Sequence, residues 1–317
     1  MAKDYLKLNR TLTIRLVCKT LNLARSSYYA AKKAKKRKDR LDNQVYQQIE
    51  KVWKTFPGWG YRKLASRLKV NGKRILRILR KYQAISPKRK KPGKPRGGGK
   101  YLNLLKKIAR DLIACPEKQK RGNWILKNGT SKGKKSKHVW LIEPVRPYQL
   151  WAGDWKELKV PLLGVTIYIF FIIDCYTRKA MGWKVSLVKD GKAALAASRM
   201  AIARAEKDPL FDPKSLIMHT DQGSAYKDEE YGKYWKKLGV HPSMADRGKP
   251  YQNPYIEAFF SILVRFWLKQ HELLTIAEIK QSLKKFFKLY NNEWLHGEIG
   301  FITPNQRLEQ YRSYLKN

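Results

Sequence analysis

Acidic residues are scarce in this chain of 317 residues: 25 Asp and Glu stand against 69 Lys and Arg, a formal net charge of +44. A field of that sign disfavours cationic partners and attracts polyanions, of which nucleic acids and acidic membrane surfaces are the common long ones. Cysteine is nearly lacking too. Cys18, Cys115 and Cys175 are isolated, with no CxxC pair and no histidine spacing that would build a zinc cluster, so they read as reduced, small buried residues. No long apolar run occurs. The longest, Val165 to Ile173, is nine residues and stops at Asp174, about half of what a spanning helix needs, which argues against a membrane protein. The opening "MAKDYLKLNR" has no apolar segment of a secretory signal. These absences together lead us to expect a soluble intracellular protein.

What is present is unevenly spread. Residues 1–147 hold 43 of the Lys and Arg and 7 of the Asp and Glu, a net +36, which leaves +8 for residues 148–317. "TLTIRLVCKTLNLARSSYYA" (11–30) has an apolar stripe followed by a turn and a second helix starting near Arg25 and Ser26. That is the layout of a helix-turn-helix whose second helix faces a DNA groove; an ordinary helical hairpin is the alternative, and the surrounding charge favours DNA contact. "AAKKAKKRKDR" (30–40) reads as a solvated helix face or a linker. Helices are then expected over 43–56, 61–70 and 72–83. In the last, Lys73, Arg74, Arg77 and Arg80 surround the packed Ile75, Ile78 and Leu79, which suits a phosphate backbone. We find no internal repeat beyond these two helical units.

"SPKRKKPGKPRGGGK" (86–100) has the composition of a flexible linker. One amphipathic helix (101–113) and another basic stretch follow. From Gln149 the texture changes: strands are expected at 150–160, 165–174, 180–188, 215–221 and 240–244, with helices at 191–208, 228–239 and 254–269. Three strands in a row, then alternating helices and strands, give an α/β class with a mixed five-stranded sheet and helices on its faces. The expected domains are 1–40, 41–85, 86–147, 148–275 and a C-terminal helical segment, 276–317.

Three carboxylates sit beside apolar elements in the second half. Asp154 lies within a strand, Asp221 ends another, and Glu257 falls in the first turn of a helix signalled by Asn253 and Pro254. An unpaired buried carboxylate is costly and seeks a cation or hydrogen bonds. Oxygen ligands with open positions suit Mg²⁺. Two such ions roughly 4 Å apart stabilise both oxygens of a phosphodiester displacement. Singly, Asp221 before "QGS" reads as a turn or helix cap and Glu257 as a complement to the helix dipole. Asp154 is harder to dismiss, because Asp is disfavoured in strands.

Asp221 and Glu257 have 35 residues between them, and at this point the motifs "TLNLARSSYY", "GWGYRKLASRL", "LWAGDWKEL", "IIDCYTRKAMGW", "MHTDQGSAY", "SMADRGKPYQNPYIEAFFSILVRFW" and "YNNEWLHGEIGFITPNQRL" fall in order along the chain. The chain resembles the integrase-core DDE transposases of bacterial insertion sequences, in particular the larger-frame protein of two-frame elements. The resemblance implies a ribonuclease H-like core preceded by helix-turn-helix DNA-binding units, with Asp154, Asp221 and Glu257 binding two Mg²⁺, for which Mn²⁺ substitutes. It implies cleavage of transposon ends and strand transfer by the freed 3′ hydroxyl, with no covalent enzyme intermediate. The implied partners are double-stranded DNA, both transposon ends and target, further copies of the chain on that DNA, and an upstream-frame DNA-binding protein or fusion. The implied setting is the bacterial cytoplasm, at the nucleoid.

DNA contacts are expected from Arg25, Ser26, Tyr61, Arg62, Lys73, Arg74, Arg77, Arg80 and Arg265. His219, on the same strand face as Asp221, and Gln222 are candidates to support the site, but for His219 a packed, hydrogen-bonded histidine is the favoured reading. His296 reads as a capping or packing residue. Asp174 also ends an apolar strand, but the matching motif does not count it among the catalytic acids, so it reads as structural. Two features depart from the family. Val264 occupies the position, seven residues after the third acid, that usually carries Lys or Arg; Arg265 is one step round the helix, about 100° away. "GDWKEL" also lacks the usual threonines around the first acid. The alternative function is a catalytically decayed, non-enzymatic DNA-binding protein derived from a transposase. All three acids at family spacing argue against it.

Overall fold

A computed structural model describes residues 13–84, 103–114, 124–129, 139–160, 164–246, 252–268 and 275–316. The chain divides into two compact units, Met1–Lys88 and Arg89–Asn317. The linker expected at 86–100 lies outside the described residues.

In the first unit, α1 (Ile14–Thr20) is capped by Thr13, whose hydroxyl accepts from the Leu16 N–H. A short turn with Asn22 at φ 48° leads into α2 (Arg25–Thr55). Two elements were expected here, separated near residue 40, but one 31-residue helix runs through. The basic run is Ala, Lys and Arg, all strong helix formers, apart from Asp39, and holds no glycine or proline to stop it. Phe56 and Trp59 stack at 4.2 Å where "FPGWG" breaks α2. α3 (Tyr61–Leu68) and α4 (Gly72–Lys81) follow. Asn71 caps α4 through the Lys73 N–H. Ile49, Trp59, Leu64, Ile75 and Ile78 form the core of this unit.

The second unit begins with α5 (Leu104–Ala114), then the antiparallel hairpin β1 (Trp124–Gly129) and β2 (Val139–Pro144). The hairpin was not expected: its strands are short and embedded in Gly and Lys, which hid their aromatic and β-branched residues. Next come β3 (Leu150–Val160), β4 (Val165–Asp174), β5 (Ala180–Ser186), α6 (Gly191–Ala205), β6 (Ile217–Thr220), α7 (Glu229–Leu238), β7 (His241–Met244), α8 (Pro254–Phe266), α9 (Ile276–Asn292) and α10 (Pro304–Lys316). The sheet order is β5-β4-β3-β6-β7, antiparallel across β5-β4-β3 and parallel across β3-β6-β7.

Alternation along the strands sorts the two faces. Trp151, Trp155, Phe170, Ile172 and Met218 join α6 and α7 in the main core. α6 approaches so closely that a Cβ on Gly182 would lie 2.2 Å from the Ala197 carbonyl oxygen. On the opposite face Phe171 meets Phe259 of α8 and Phe287 of α9, at 5.3 and 5.8 Å between ring centroids. α10 is tied to the core by Arg312, which donates to the buried Asp208 at 2.7 Å; Asp208 also accepts from the Tyr148 hydroxyl at 2.6 Å. Among the described residues no helix is long and apolar enough to cross a membrane.

Candidate active site

The strand register brings the first two acids together. Ala152 of β3 stands beside His219 of β6 in the parallel pair. Two residues further along each strand, on the same face, are Asp154 and Asp221. That face is the one covered by α8, since Asp154 is registered with Phe171, which packs on Phe259. Glu257 lies in the first turn of α8. Gly153, on the opposite face of β3, leaves room for core side chains: a Cβ there would be 2.4 Å from Met218 Cε and 2.9 Å from Phe170 Cζ.

Each aspartate has one local hydrogen bond. Asp154 Oδ1 accepts from the Trp155 N–H at 2.7 Å, and Asp221 Oδ1 from the Gly223 N–H at 3.0 Å. Asp221 thus does close a turn, as a lone reading of "TDQG" suggests. Burial pushes the Asp154 carboxyl up to about 8, with the charges of Asp221 and Glu257 adding to the rise; the Trp155 N–H and the charge of Lys189 oppose it. All three acids therefore share one field. Glu257 is exposed, and among the described residues no three His, Cys, Asp or Glu side chains are gathered closely enough to hold a metal ion as they stand.

Asn253 is the N-cap of α8 with Pro254 at the first position, yet its side chain makes no capping bond. It reaches β3 instead, donating to the Gly153 carbonyl at 3.4 Å, next to Asp154. His219 is buried, with Nδ1 2.9 Å from Ser243 Oγ, and burial lowers its pKa to about 4, so it is neutral and packed. Gln222 Oε1 is buried without a hydrogen-bond partner among the described residues. Asp174 is fully buried and accepts from the Tyr148 N–H, the Thr177 N–H and the Thr177 hydroxyl, each at 2.7 Å, which makes it the post of the β4–β5 turn. His296 packs edge-on against Tyr290 at 5.1 Å.

Two neighbours of the acids were not singled out in the sequence. Tyr226 is fully buried, its hydroxyl has no hydrogen-bond partner among the described residues, and both Asp221 and Asp154 raise its pKa after burial itself. Lys189, between β5 and α6, supplies the opposing positive charge. Tyr226 closes the motif "MHTDQGSAY" around Asp221, whereas Lys189 carries no local pattern and only the fold brings it to the acids.

The residues expected on DNA divide by setting. Arg25, Ser26, Arg62, Lys73 and Arg80 are exposed, and Tyr61 is half-buried beneath Arg62. Arg74 and Arg77 turn to the buried Asp42, with bonds of 3.3 Å from Arg74 and of 2.6 and 2.8 Å from Arg77. In α8, Arg265 lies over the Phe266 ring at 5.2 Å, and Val264 is half-buried.

The sheet order and the acids at its centre define the class: a ribonuclease H-like core of the integrase type. Two family models, both described as "Integrase core domain", match residues 144–250 and 238–304 and together run across half of the chain. Over these residues the chain belongs to the integrase core family. Among curated relatives, the transposase for insertion sequence element IS904 of Lactococcus lactis is 29% identical over 174 residues, 55% of this chain and 66% of its own length. Transposase InsF for insertion sequence IS3A of Escherichia coli is 27% identical over 161 residues, 50% of this chain and 54% of its own length. The chain thus spans less than two thirds of either relative. Among solved structures, the catalytic core domain of HTLV-2 integrase in complex with magnesium is 14% identical and covers 51% of this chain and 97% of its own, with a TM-score of 0.40. A chain of the simian T-cell lymphotropic virus intasome is 14% identical and covers 79% of this chain and 70% of its own, with a TM-score of 0.45.

Proposed function

We propose that this chain is a DNA transposase that cuts insertion-sequence ends and joins them to target DNA through a site formed by Asp154, Asp221 and Glu257. The observation that carries this reading is the shared field of the three acids: the integrase core family suggests the chemistry, and the pairing of β3 with β6 beside the first turn of α8 supports a common site. The donor set is all carboxylate oxygen, which fits Mg²⁺ or Mn²⁺ rather than a thiolate-seeking metal. The raised pKa of Asp154 marks a site short of positive charge. Bound divalent metal would neutralise these acids and stabilise charge on the phosphate oxygens.

The chain's own residues do the positioning. The Gly223 N–H fixes one Asp221 oxygen, and Asn253 pins the head of α8 to β3. The exposed cations of α2, α3 and α4 attract the phosphate backbone, so association should weaken steeply with salt. Assembly of several copies on DNA belongs to the same reading. The test is an assay of cleavage and strand transfer on element ends with Mg²⁺ or Mn²⁺, wild type against Asp221→Asn. We expect loss of both steps with DNA binding retained; a variant that still cleaves would sink the proposal.

A further inference from the structure

The segment ahead of the catalytic sheet has no role in the reading above. Its described parts, α5 and the β1–β2 hairpin, form a small cluster of their own, in which Ala109 and Ile142 are buried against Leu105, Ile108 and Trp124. From this segment polar contacts reach β7 and the head of α8, beside the elements that carry the acids. Asn103 Nδ2 donates to Gln252 Oε1 at 2.9 Å, just ahead of α8, and Lys106 Nζ pairs with Asp246 Oδ2 at 2.9 Å, just beyond β7. Gln252 is itself joined to Asp246: its Oε1 accepts from the Asp246 N–H at 2.6 Å and its Nε2 donates to Asp246 Oδ2 at 3.2 Å. The Leu104 N–H donates to Ser243 Oγ at 3.1 Å, and that oxygen lies 2.9 Å from Nδ1 of His219, two residues before Asp221. On the other side, the Tyr255 hydroxyl donates to the Ile142 carbonyl at 3.2 Å.

We infer that α5 and the β1–β2 hairpin brace the first turn of α8 and so fix the reach of Glu257 toward Asp154 and Asp221. Gln252 and Tyr255 bracket the N-cap of α8 and are both held by this segment. Glu257 is exposed, so its place is set by where the helix begins and not by packing around its own side chain. The three acids repel one another when no cation lies between them, and the movable member is the one on the helix. The brace opposes that movement. Displacements of about 1 Å in such a group are enough to cost rate and metal affinity. Asn103 and Lys106 are positioning residues in this account, and the inference rests on the catalytic reading of the three acids.

The experiment compares wild type with Lys106→Met, Asn103→Ala and the pair combined, in the full chain. Hydrogen exchange is followed at amides 252–260, and Mn²⁺ binding is measured by calorimetry without DNA. An ion pair with its accompanying hydrogen bonds is worth about a five-fold change in such equilibria. The combined variant should therefore exchange about five-fold faster at the head of α8 and bind Mn²⁺ about five-fold more weakly. Exchange within β3 and β4 should stay unchanged, and Lys106→Arg should restore both properties. Wild-type exchange and Mn²⁺ binding in the combined variant would overturn the brace. So would a uniform speeding across the whole unit, which would mark the segment as general scaffold. Should wild type neither bind Mn²⁺ nor join DNA while the variant still loosens α8 selectively, the brace stands and the transposase reading fails.

Discussion

Replacing Asp154 with asparagine should abolish activity and stabilise the metal-free protein. Burial and the neighbouring Asp221 and Glu257 raise the Asp154 carboxyl to about 8. An unfolded aspartate titrates near 3.9, so between about pH 4 and about pH 8 the unfolded chain has released a proton that the folded chain keeps, and stability falls as pH rises through that window. Each pH unit costs up to about 1.4 kcal/mol, an upper bound of about 4 kcal/mol at pH 7. Local relaxation and solvent reduce this to about 1–3 kcal/mol. Asparagine keeps an oxygen for the Trp155 N–H and removes the charge. For a unit of this size each kcal/mol moves Tm by about 2–4 °C, so Asp154→Asn should melt several degrees above wild type at pH 7 in EDTA. The gap should close near pH 4. Adding Mg²⁺ should raise the wild-type Tm more than the variant's, because a ligand stabilises only the form that binds it. An equal or lower Tm for Asp154→Asn in EDTA, with no dependence of the gap on pH, would refute the crowding of charge argued from the β3–β6 register.

Two further predictions concern the frames around the site. Asp42→Asn should loosen the first unit by about 1–2 kcal/mol, less than for a fully buried pair because Arg74 and Arg77 are 37% and 42% exposed and can be rehydrated. The hydrogen bond from Arg77 lowers the Asp42 pKa, so the stability it lends is present above ordinary carboxylate values and is lost as pH falls through its folded pKa. Faster hydrogen exchange around Ile49 and Ile78 reads this out. Gly182→Ala would set a Cβ 2.2 Å from the Ala197 carbonyl, which is backbone and cannot swing aside, so α6 must move outward at a cost of about 1–3 kcal/mol. Thermal melting checks it, and an unchanged Tm would mean that α6 does not pack as described.

The parts of the fold that were legible are those in which a local pattern and the tertiary setting agree. Val165–Asp174 is a solid apolar run and proves to be a central strand with α helices on both faces. Helix α6 is rich in Ala, and it lies where only small side chains allow contact with Gly182. Helix α2 was read as separate pieces because its first half, through Arg40, has no apolar stripe; propensity alone carries the helix there. Asp42 shows the same limit from the other side. A buried carboxylate within a basic helix has meaning only through arginines 32 and 35 residues away.

The acids differ from both cases. No local feature separates Asp174 from Asp154: each belongs to an apolar strand of the same sheet, and burial raises the pKa of both. They part in what their oxygens meet. Asp174 takes three hydrogen bonds at 2.7 Å and is satisfied by its own turn, whereas Asp154 takes one, beside two further carboxylates. Asp221 shares both characters, closing a turn through Gly223 with one oxygen while standing beside Asp154 through the strand register. A turn aspartate and a metal-binding aspartate are therefore not alternatives at this position. The turn holds one oxygen still and leaves the other open, as the proposed metal site requires.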